Sequence, residues 1–261
     1  MKHLLSAFIL VLTAQGFSQE FILKPLQSEM LQADRFIGKD NFNNSYSITD
    51  RTLHKTGRDV NYQFTALSLG DITTVDIINP LKITLFYQNA NVAVILDNTL
   101  SEITRIDFNT ITEFRNVSHA TTATDRRLWI FNTDLQQLEL FDYNLLKVVI
   151  PFQTLSQIAS IQISNFNLCY IVAENILYSY NIYGALINKS VIPDFINLQQ
   201  YNDNLIGLSS EGLFYKPAQG SQFHQVLSTK NDIEDFYLLD EILYIYNKQQ
   251  LTAGQLKPIK K

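Results

Sequence analysis

The stretch LWIFNTDLQQLELFD, residues 128–142, contains the pattern that decides the fold: two apolar strands joined by a tight polar turn. The same arrangement recurs, giving six hairpins whose turns lie near Asp50, Asn89, Asp134, Asn175, Ser210 and Lys248. The other copies are YSITDRTLHKT (46–56), ITLFYQNANVAVILD (83–97), LCYIVAENILYSYN (168–181), LIGLSSEGLFYK (205–216) and LYIYNKQQLTAG (243–254). Successive turns are 39, 45, 41, 35 and 38 residues apart. A hairpin cannot bury its apolar face alone, and hairpin repeats of about 40 residues are typical of β-propeller blades, which stack into a ring.

The repeat therefore predicts an all-β chain folded as a β-propeller of six blades, with a seven-bladed or irregular ring as the alternative. The last hairpin, at residues 243–254, is followed by too few residues to complete its blade. We expect a strand from the N-terminal part, either at residues 21–30 or at residues 33–38, to close this blade, because ring closure hides an open sheet edge. Residues 19–261 are predicted to form this single domain.

The first 18 residues have the pattern of a secretory signal peptide. Lys2 and His3 precede an apolar run over residues 4–13, and the small residues Gly16 and Ser18 precede a cut before Gln19. The alternative is an apolar first strand of the ring. Because this run is too short to span a bilayer, we expect an exported periplasmic chain without direct membrane insertion.

The cysteine content argues against a disulfide, and the net charge argues against a nucleic-acid partner. The single cysteine, Cys169, lies in the apolar run LCYIV, so we expect a buried and inert thiol and no internal disulfide. The formal net charge is −5 at pH 7, and no long basic run is present. Binding to a phosphate backbone needs many clustered cations, so a nucleic-acid partner is not expected.

No motif for catalysis, metal binding or cofactor binding is found, and we expect no cofactor, no metal and no enzymatic activity. The alternative chemistry is a hydrolase or lyase that uses a carboxylate pair, which requires two of the acidic residues to converge in one pocket. The candidates are Asp232, Glu234, Asp235, Asp240 and Glu241. The other interpretation of these residues is a charged loop between blades and the turn that follows it.

Two stretches resemble a family of small exported propellers from gliding Bacteroidetes. They are ADRFIGKDNFNNSYSI (33–48) and TTVDIINPLKITLFYQNANVAVILDNTLSEITRIDF (73–108), and the most specific piece is IINPLKITLFY. The resemblance extends from about residue 20 to the C-terminus, and a leader that ends in GFSQ is typical of the same phylum. Within this family the chain is similar to the plug subunit of the type 9 secretion translocon, a periplasmic protein that seals the inner mouth of an outer-membrane barrel. The resemblance implies a protein-interaction subunit, associated peripherally with the outer membrane, whose partner is that translocon or another envelope protein.

Two polar loops with embedded phenylalanines, residues 39–45 and 110–124, are the candidate contact loops. Their candidate partner-binding residues are Lys39, Phe42, Phe114 and Arg115. The alternative is that these are ordinary solvated loops between strands. A second functional hypothesis is a carbohydrate- or peptidoglycan-binding module, which predicts a cluster of exposed aromatic side chains over the central channel.

Overall fold

The computed structural model describes residues 21–228, 232–247 and 249–258 as six four-stranded antiparallel sheets arranged as the blades of a ring. The prediction of a six-bladed β-propeller is confirmed. The predicted signal peptide lies outside the described residues. Within them, no helix has the length and apolar character needed to cross a membrane.

The blades follow one another along the chain. Blade 1 contains β2 (Arg35–Lys39), β3 (Ser45–Thr49), β4 (Thr52–Thr56) and β5 (Asn61–Thr65), and blade 2 contains β6 (Thr74–Asp76), β7 (Ile83–Tyr87), β8 (Val92–Leu96) and β9 (Glu102–Asp107). Blade 3 contains β10 (Val117–Thr122), β11 (Arg127–Asn132), β12 (Gln137–Asp142) and β13 (Lys147–Thr154). Blade 4 contains β14 (Ile161–Ser164), β15 (Leu168–Ala173), β16 (Ile176–Asn181) and β17 (Leu186–Val191). Blade 5 contains β18 (Phe195–Tyr201), β19 (Asn204–Ser209), β20 (Gly212–Lys216) and β21 (His224–Ser228), and blade 6 contains β22 (Asp235–Leu239), β23 (Ile242–Asn247), β24 (Gln250–Pro258) and β1 (Phe21–Met30).

The six hairpins of the sequence form the second and third strands of each blade. In blade 3, for example, Trp129 of β11 lies opposite Leu140 of β12. Every residue of β7 and β8 is buried, because the middle strands of a blade pack against the neighbouring blades on both faces. The predicted contact loop at residues 110–124 is wrong in part, since residues 117–122 form β10, the first strand of blade 3.

The last blade is closed by the N-terminal strand, as predicted. Of the two candidate segments, Phe21–Met30 is the one that pairs with β24, from Phe21 opposite Pro258 to Met30 opposite Gln250. Residues 35–39 instead form the first strand of blade 1.

Successive antiparallel strands run in opposite directions, so the turns of the blades divide between two ends of the ring. The connection face carries the turns between second and third strands and the connections between blades, which include residues 66–73, 108–116, 155–160 and 192–194. The turn face carries the turns between first and second strands and between third and fourth strands, which include residues 40–44, 77–82, 143–146 and 182–185. Hydrogen bonds confirm the grouping: Thr133 N–H, in a turn of the connection face, donates to Asn116 O, in a connection, at 2.9 Å.

Apolar side chains fill the spaces between adjacent blades. Between blades 3 and 4, Trp129, Phe152 and Tyr180 form one cluster in which the rings of Phe152 and Tyr180 lie 5.5 Å apart in an edge-to-face arrangement. Cys169 is fully buried in the same cluster, which confirms the predicted environment of the thiol. The core is thus a series of inter-blade layers, and no hairpin is stable without its neighbours.

Candidate functional site

A cavity of about 750 Å³ lies on the axis of the ring. Its walls are contributed by the first strands of all six blades, β2, β6, β10, β14, β18 and β22, and by the turns that follow several of them. The wall mixes aliphatic side chains such as Ile163 with polar ones such as Gln162, Gln199 and Asp76. This composition explains why the first strands lack the continuous apolar runs of the middle strands.

Hydrogen bonds in which a side chain is the donor or the acceptor join every neighbouring pair of blades near the axis, and we call these bonds the inter-blade latches. They are Arg35 Nη1 to Thr73 O (3.1 Å), Thr122 N to Asp76 Oδ2 (2.8 Å), Gln162 Nε2 to Trp129 O (2.9 Å), Gln200 Nε2 to Ser164 O (3.0 Å), Tyr201 Oη to Asp240 Oδ1 (2.8 Å) and Phe36 N to Asp235 Oδ2 (2.9 Å). Five of the latches involve a backbone N–H or carbonyl group, a kind of group that must be paired when it is buried, and the Tyr201–Asp240 latch joins two side chains. Each latch links one blade to the next.

Two of the latches use carboxylates in the wall of the cavity. Asp76 accepts from Thr122 N–H on one oxygen and from Ile78 N–H on the other, at 2.8 and 3.0 Å. Burial raises the pKa of Asp76, and the two N–H donors oppose that rise. Burial likewise raises the pKa of Asp235, opposed mainly by the N–H of Phe36. Both carboxylates act as structural acceptors between blades.

His119 of β10 also lines the cavity, and its ring Nδ1 lies 2.8 Å from Ser118 Oγ. Burial lowers the pKa of His119 to about 4, so the imidazole is neutral near pH 7. In the part of the chain that the structure describes, no three His, Cys, Asp or Glu side chains are grouped as a metal site.

The acidic residues considered for acid–base chemistry are distributed along β22 and its turn. Asp235 and Asp240 lie at opposite ends of this strand, roughly 16 Å apart at about 3.3 Å per residue. Asp240 accepts from Tyr201, whereas Glu241 accepts from Gln255 Nε2 at 3.3 Å. Glu234 is exposed, while Asp235 contacts the next blade. Asp235 and Asp240 therefore do not form the carboxylate pair that the hydrolase or lyase hypothesis requires.

The predicted partner-binding residues differ in exposure. Phe42 and Phe114 are 72% and 54% exposed. Lys39 is 6% exposed; its Nζ lies 3.2 Å from Glu29 and 5.3 Å from the centre of the Tyr244 ring. The charge of Lys39 therefore joins blade 1 to blade 6, and Lys39 is not available on the surface as the two phenylalanines are.

Arg115 is used in a similar way. Its guanidinium donates to Glu139, which is buried, at 3.0 Å and to Glu113 at 2.8 Å, and it also donates to the carbonyls of Glu113 and Phe114. Burial raises the pKa of Glu139, and the charge of Arg115 opposes that rise. Arg115 thus holds the loop that presents Phe114.

The two predicted contact loops lie on opposite faces of the ring. Phe42 is in the turn at residues 40–44 on the turn face, and Phe114 is in the connection at residues 108–116 on the connection face. A single flat partner surface cannot contact both. The sequence prediction also missed large exposed apolar side chains elsewhere, among them Tyr183 (86%), Leu67 (67%) and Ile158 (51%).

The carbohydrate hypothesis predicts exposed aromatic side chains over the channel. Among the described residues, the aromatic side chains that line the cavity are Phe36, Phe166, Tyr201 and Tyr237. Only Phe166 is exposed, at 38%. The expected aromatic cluster is therefore not present in the described part of the channel.

No protein-family model matches this sequence, and no curated protein matches it significantly. Many solved structures are similar to it. One is PorZ of Porphyromonas gingivalis, described as an essential bacterial surface component of the type-IX secretion system, with a TM-score of 0.54 and 11% identity. That match covers 89% of this chain and 34% of the PorZ chain, so this protein spans about a third of the length of PorZ.

Two further structures match over nearly their whole lengths. BamB from Moraxella catarrhalis has a TM-score of 0.52 and 11% identity, with 90% of this chain and all of BamB covered. Virginiamycin B lyase from Staphylococcus aureus has a TM-score of 0.61 and 10% identity, with 90% of this chain and 99% of the lyase covered. At these identities the likeness establishes the propeller fold alone, and because one of these proteins is a secretion-system component and another a lyase, the fold does not indicate a role.

Proposed function

We propose that this chain is a non-enzymatic protein-interaction subunit of the cell envelope. It is exported to the periplasm, associates peripherally with the outer membrane, and docks on an outer-membrane secretion translocon that it plugs or gates. The observation that carries this proposal is that a ring fixed by latches projects large apolar side chains from its loops into solvent.

Several of the large apolar side chains in the loops are exposed to solvent. Tyr183, Phe42 and Leu67 are between 67% and 86% exposed. Other large aromatic side chains, such as Trp129 and Phe131, are fully buried in the core. Exposed apolar side chains that are rimmed by polar ones mark interaction surfaces. Because the loops are attached to a rigid scaffold, little conformational entropy is lost when a partner binds.

The absence of enzymatic activity is part of the proposal. In the wall of the cavity Asp76 and Asp235 accept from backbone N–H donors, and the His119 imidazole is partly buried and neutral near pH 7. The resemblance of residues 33–48 and 73–108 to exported propellers of gliding Bacteroidetes supports the envelope location. The likeness to PorZ and BamB, although limited to the fold, is compatible with it.

The test is affinity purification of the tagged chain from a native envelope fraction after chemical crosslinking. We expect co-purification of outer-membrane translocon components at physiological salt. Recovery of a free monomer alone, with and without crosslinker, contradicts the proposal.

A matched pair of variants separates loop contacts from general stickiness. Serine substitutions of Phe42, Leu67, Phe114 and Tyr183 remove apolar groups from both faces, and we expect them to abolish co-purification. Serine substitutions of Ile103 and Ile187, which are 52% and 58% exposed on the outer strands β9 and β17, are the control and should leave it intact.

A further inference from the structure

We propose that the connection face is the docking surface and that its occupant is a protein surface on which lysine and arginine side chains surround apolar ones. This inference rests on the proposed function and assigns the face and the chemistry of the partner.

Large apolar side chains recur around the connection face. Leu67 follows blade 1, Phe114 follows blade 2, Ile158 follows blade 3 and Met30 is the last residue of the closing strand of blade 6, with exposed fractions of 67%, 54%, 51% and 72%. Each of these three connections, and the end of β1, therefore places one apolar group in solvent. The repetition gives a partner several contact points around the ring.

The loops that carry these groups are held rigidly. Phe114 is flanked by Arg115, whose guanidinium contacts Glu139, and Asn91 Nδ2 donates to Arg115 O at 2.7 Å. Leu67 begins a short 3-10 turn, Leu67–Leu69, in which Gly70 N–H donates to Leu67 O at 3.2 Å. A loop that is free to move could fold its apolar side chain against the protein. These loops cannot, so the side chains are preorganised for contact with another surface.

The charged residues of the connection face indicate which kind of partner surface binds there. Exposed carboxylates are spread around the connection face, on Asp71, Glu113, Asp134, Glu174, Asp194 and Glu211. In the described residues of these turns and connections the cations are Arg51 and Arg115, and both are ion-paired with carboxylates of the same face, at 2.5 Å to Asp71 and 2.8 Å to Glu113. The described part of this face is therefore acidic, which attracts a basic protein surface and repels anionic lipid and nucleic acid.

The turn face differs in this respect. Its apolar side chains, such as Leu81, Leu145 and Tyr183, lie among charges of both signs that include Arg58, Lys82 and Arg126. In its described turns three cations offset seven carboxylates, whereas two cations offset ten carboxylates in the described turns and connections of the connection face. The turn face therefore has the smaller acidic excess and supplies the internal control.

The experiment measures sedimentation of the purified full chain with a native envelope fraction over a series of NaCl concentrations. One variant combines Glu174→Lys, Asp194→Lys and Glu211→Lys on the connection face. The matched control combines Asp59→Lys, Asp125→Lys and Glu241→Lys on the turn face, with the same change in net charge. Thermal unfolding of both variants checks that they are folded.

We expect the connection-face variant to bind on the order of tenfold more weakly and with less dependence on salt, and the control to bind as the wild type does. A carbodiimide, which joins a carboxylate to an amine that it contacts, should link Glu174, Asp194 or Glu211 to lysines of the bound partner. Equal binding by both variants, or a loss confined to the control, overturns the inference while the proposed function stands. Failure of the wild type to sediment at all instead contradicts the proposed function.

Vesicles that contain anionic phospholipid test the other source of binding. Wild-type sedimentation with protein-free vesicles of this kind, to the same extent as with the envelope fraction, also overturns the inference.

Discussion

The latch between blades 2 and 3 gives the most direct test of how the ring is held together. Asp76 supplies one oxygen to Thr122 N–H and the other to Ile78 N–H, at 2.8 and 3.0 Å. Asp76→Ala removes both acceptors at once. Thr122 is 7% exposed, so water cannot readily replace the lost partner of its N–H.

The expected magnitude follows from these contacts. A buried donor left without a partner costs about 1–3 kcal/mol, and the Ile78 N–H, in a partly exposed turn, costs less because water reaches it. Removing a carboxylate whose pKa is raised by burial recovers part of that loss. We therefore expect Asp76→Ala to lower the free energy of unfolding by about 3 kcal/mol.

Asp76→Asn separates the two bonds. An amide has one acceptor oxygen where the carboxylate has two, so only one of the two N–H groups keeps its partner. We expect a loss of about half that of Asp76→Ala. Asp59→Ala, in an exposed turn, is the control and should leave stability unchanged.

Equilibrium unfolding in urea, followed by tryptophan fluorescence and circular dichroism, measures these changes. At an m-value of roughly 3 kcal/mol/M, the Asp76→Ala midpoint should fall by roughly 1 M without a change in m. The Thr122 amide should also exchange its hydrogen faster. An Asp76→Ala variant within about 0.5 kcal/mol of the wild type refutes the view that the latches hold the blades together.

Three further predictions concern closure, pH and the buried thiol. Deletion of residues 21–30 should destabilise the protein by more than about 2 kcal/mol in thermal unfolding, and a synthetic peptide of that sequence should restore part of the loss; unchanged stability contradicts closure by β1. The pKa of His119 is about 4 in the folded chain and 6.5 ordinarily, so between these pH values the unfolded chain binds a proton that the folded chain does not. The free energy of unfolding should therefore fall by about 3 kcal/mol as the pH drops from about 6.5 to about 4. His119→Gln should flatten that slope in urea unfolding at several pH values, whereas the control His54→Gln should retain it. Burial raises the pKa of Cys169 well above its usual range, so maleimide labelling should be slow in the native protein and should accelerate only in denaturant; equal rates in both conditions count against the buried position.

The parts of the fold that the sequence revealed are those whose environment is apolar on both sides. VAVIL of β8 is buried throughout because blades lie on either side of it. Its continuous apolar run therefore predicts a buried strand without any knowledge of the fold. VSHATT of β10 forms part of the polar wall of the axial cavity, and its mixed composition resembles that of a loop. The first strand of the blade was therefore the element that the pattern could not identify.

The candidate site shows a related limit. Lys39 and Arg115 are cations in polar segments, and this position predicts that they are exposed. In the structure Lys39 forms an ion pair with Glu29 and Arg115 forms one with Glu139. Both glutamates belong to strands that come close to these cations only when the ring is assembled. The separation of Phe42 and Phe114 onto opposite faces depends on strand direction, which a hairpin pattern alone does not give. The aromatic residues of the loops could be found from the sequence; the face that each occupies could not.

Closure of blade 6 by β1 has a consequence for the order in which the protein can mature. The pairing joins distant residues such as Ser28 and Thr252, which are separated by 224 positions. Bringing such distant segments together costs about 5 kcal/mol of chain entropy, so this contact is expected to form late, after the intervening blades have shortened the distance. Among the described strands, β1 is synthesised first and its partner β24 last. A chain that is interrupted before β24 leaves β1 and β23 without their shared neighbour, and such open strand edges are sites of proteolysis or of association with other chains. Ring closure therefore acts as a check on completeness: only a chain synthesised through β24 can hide both edges.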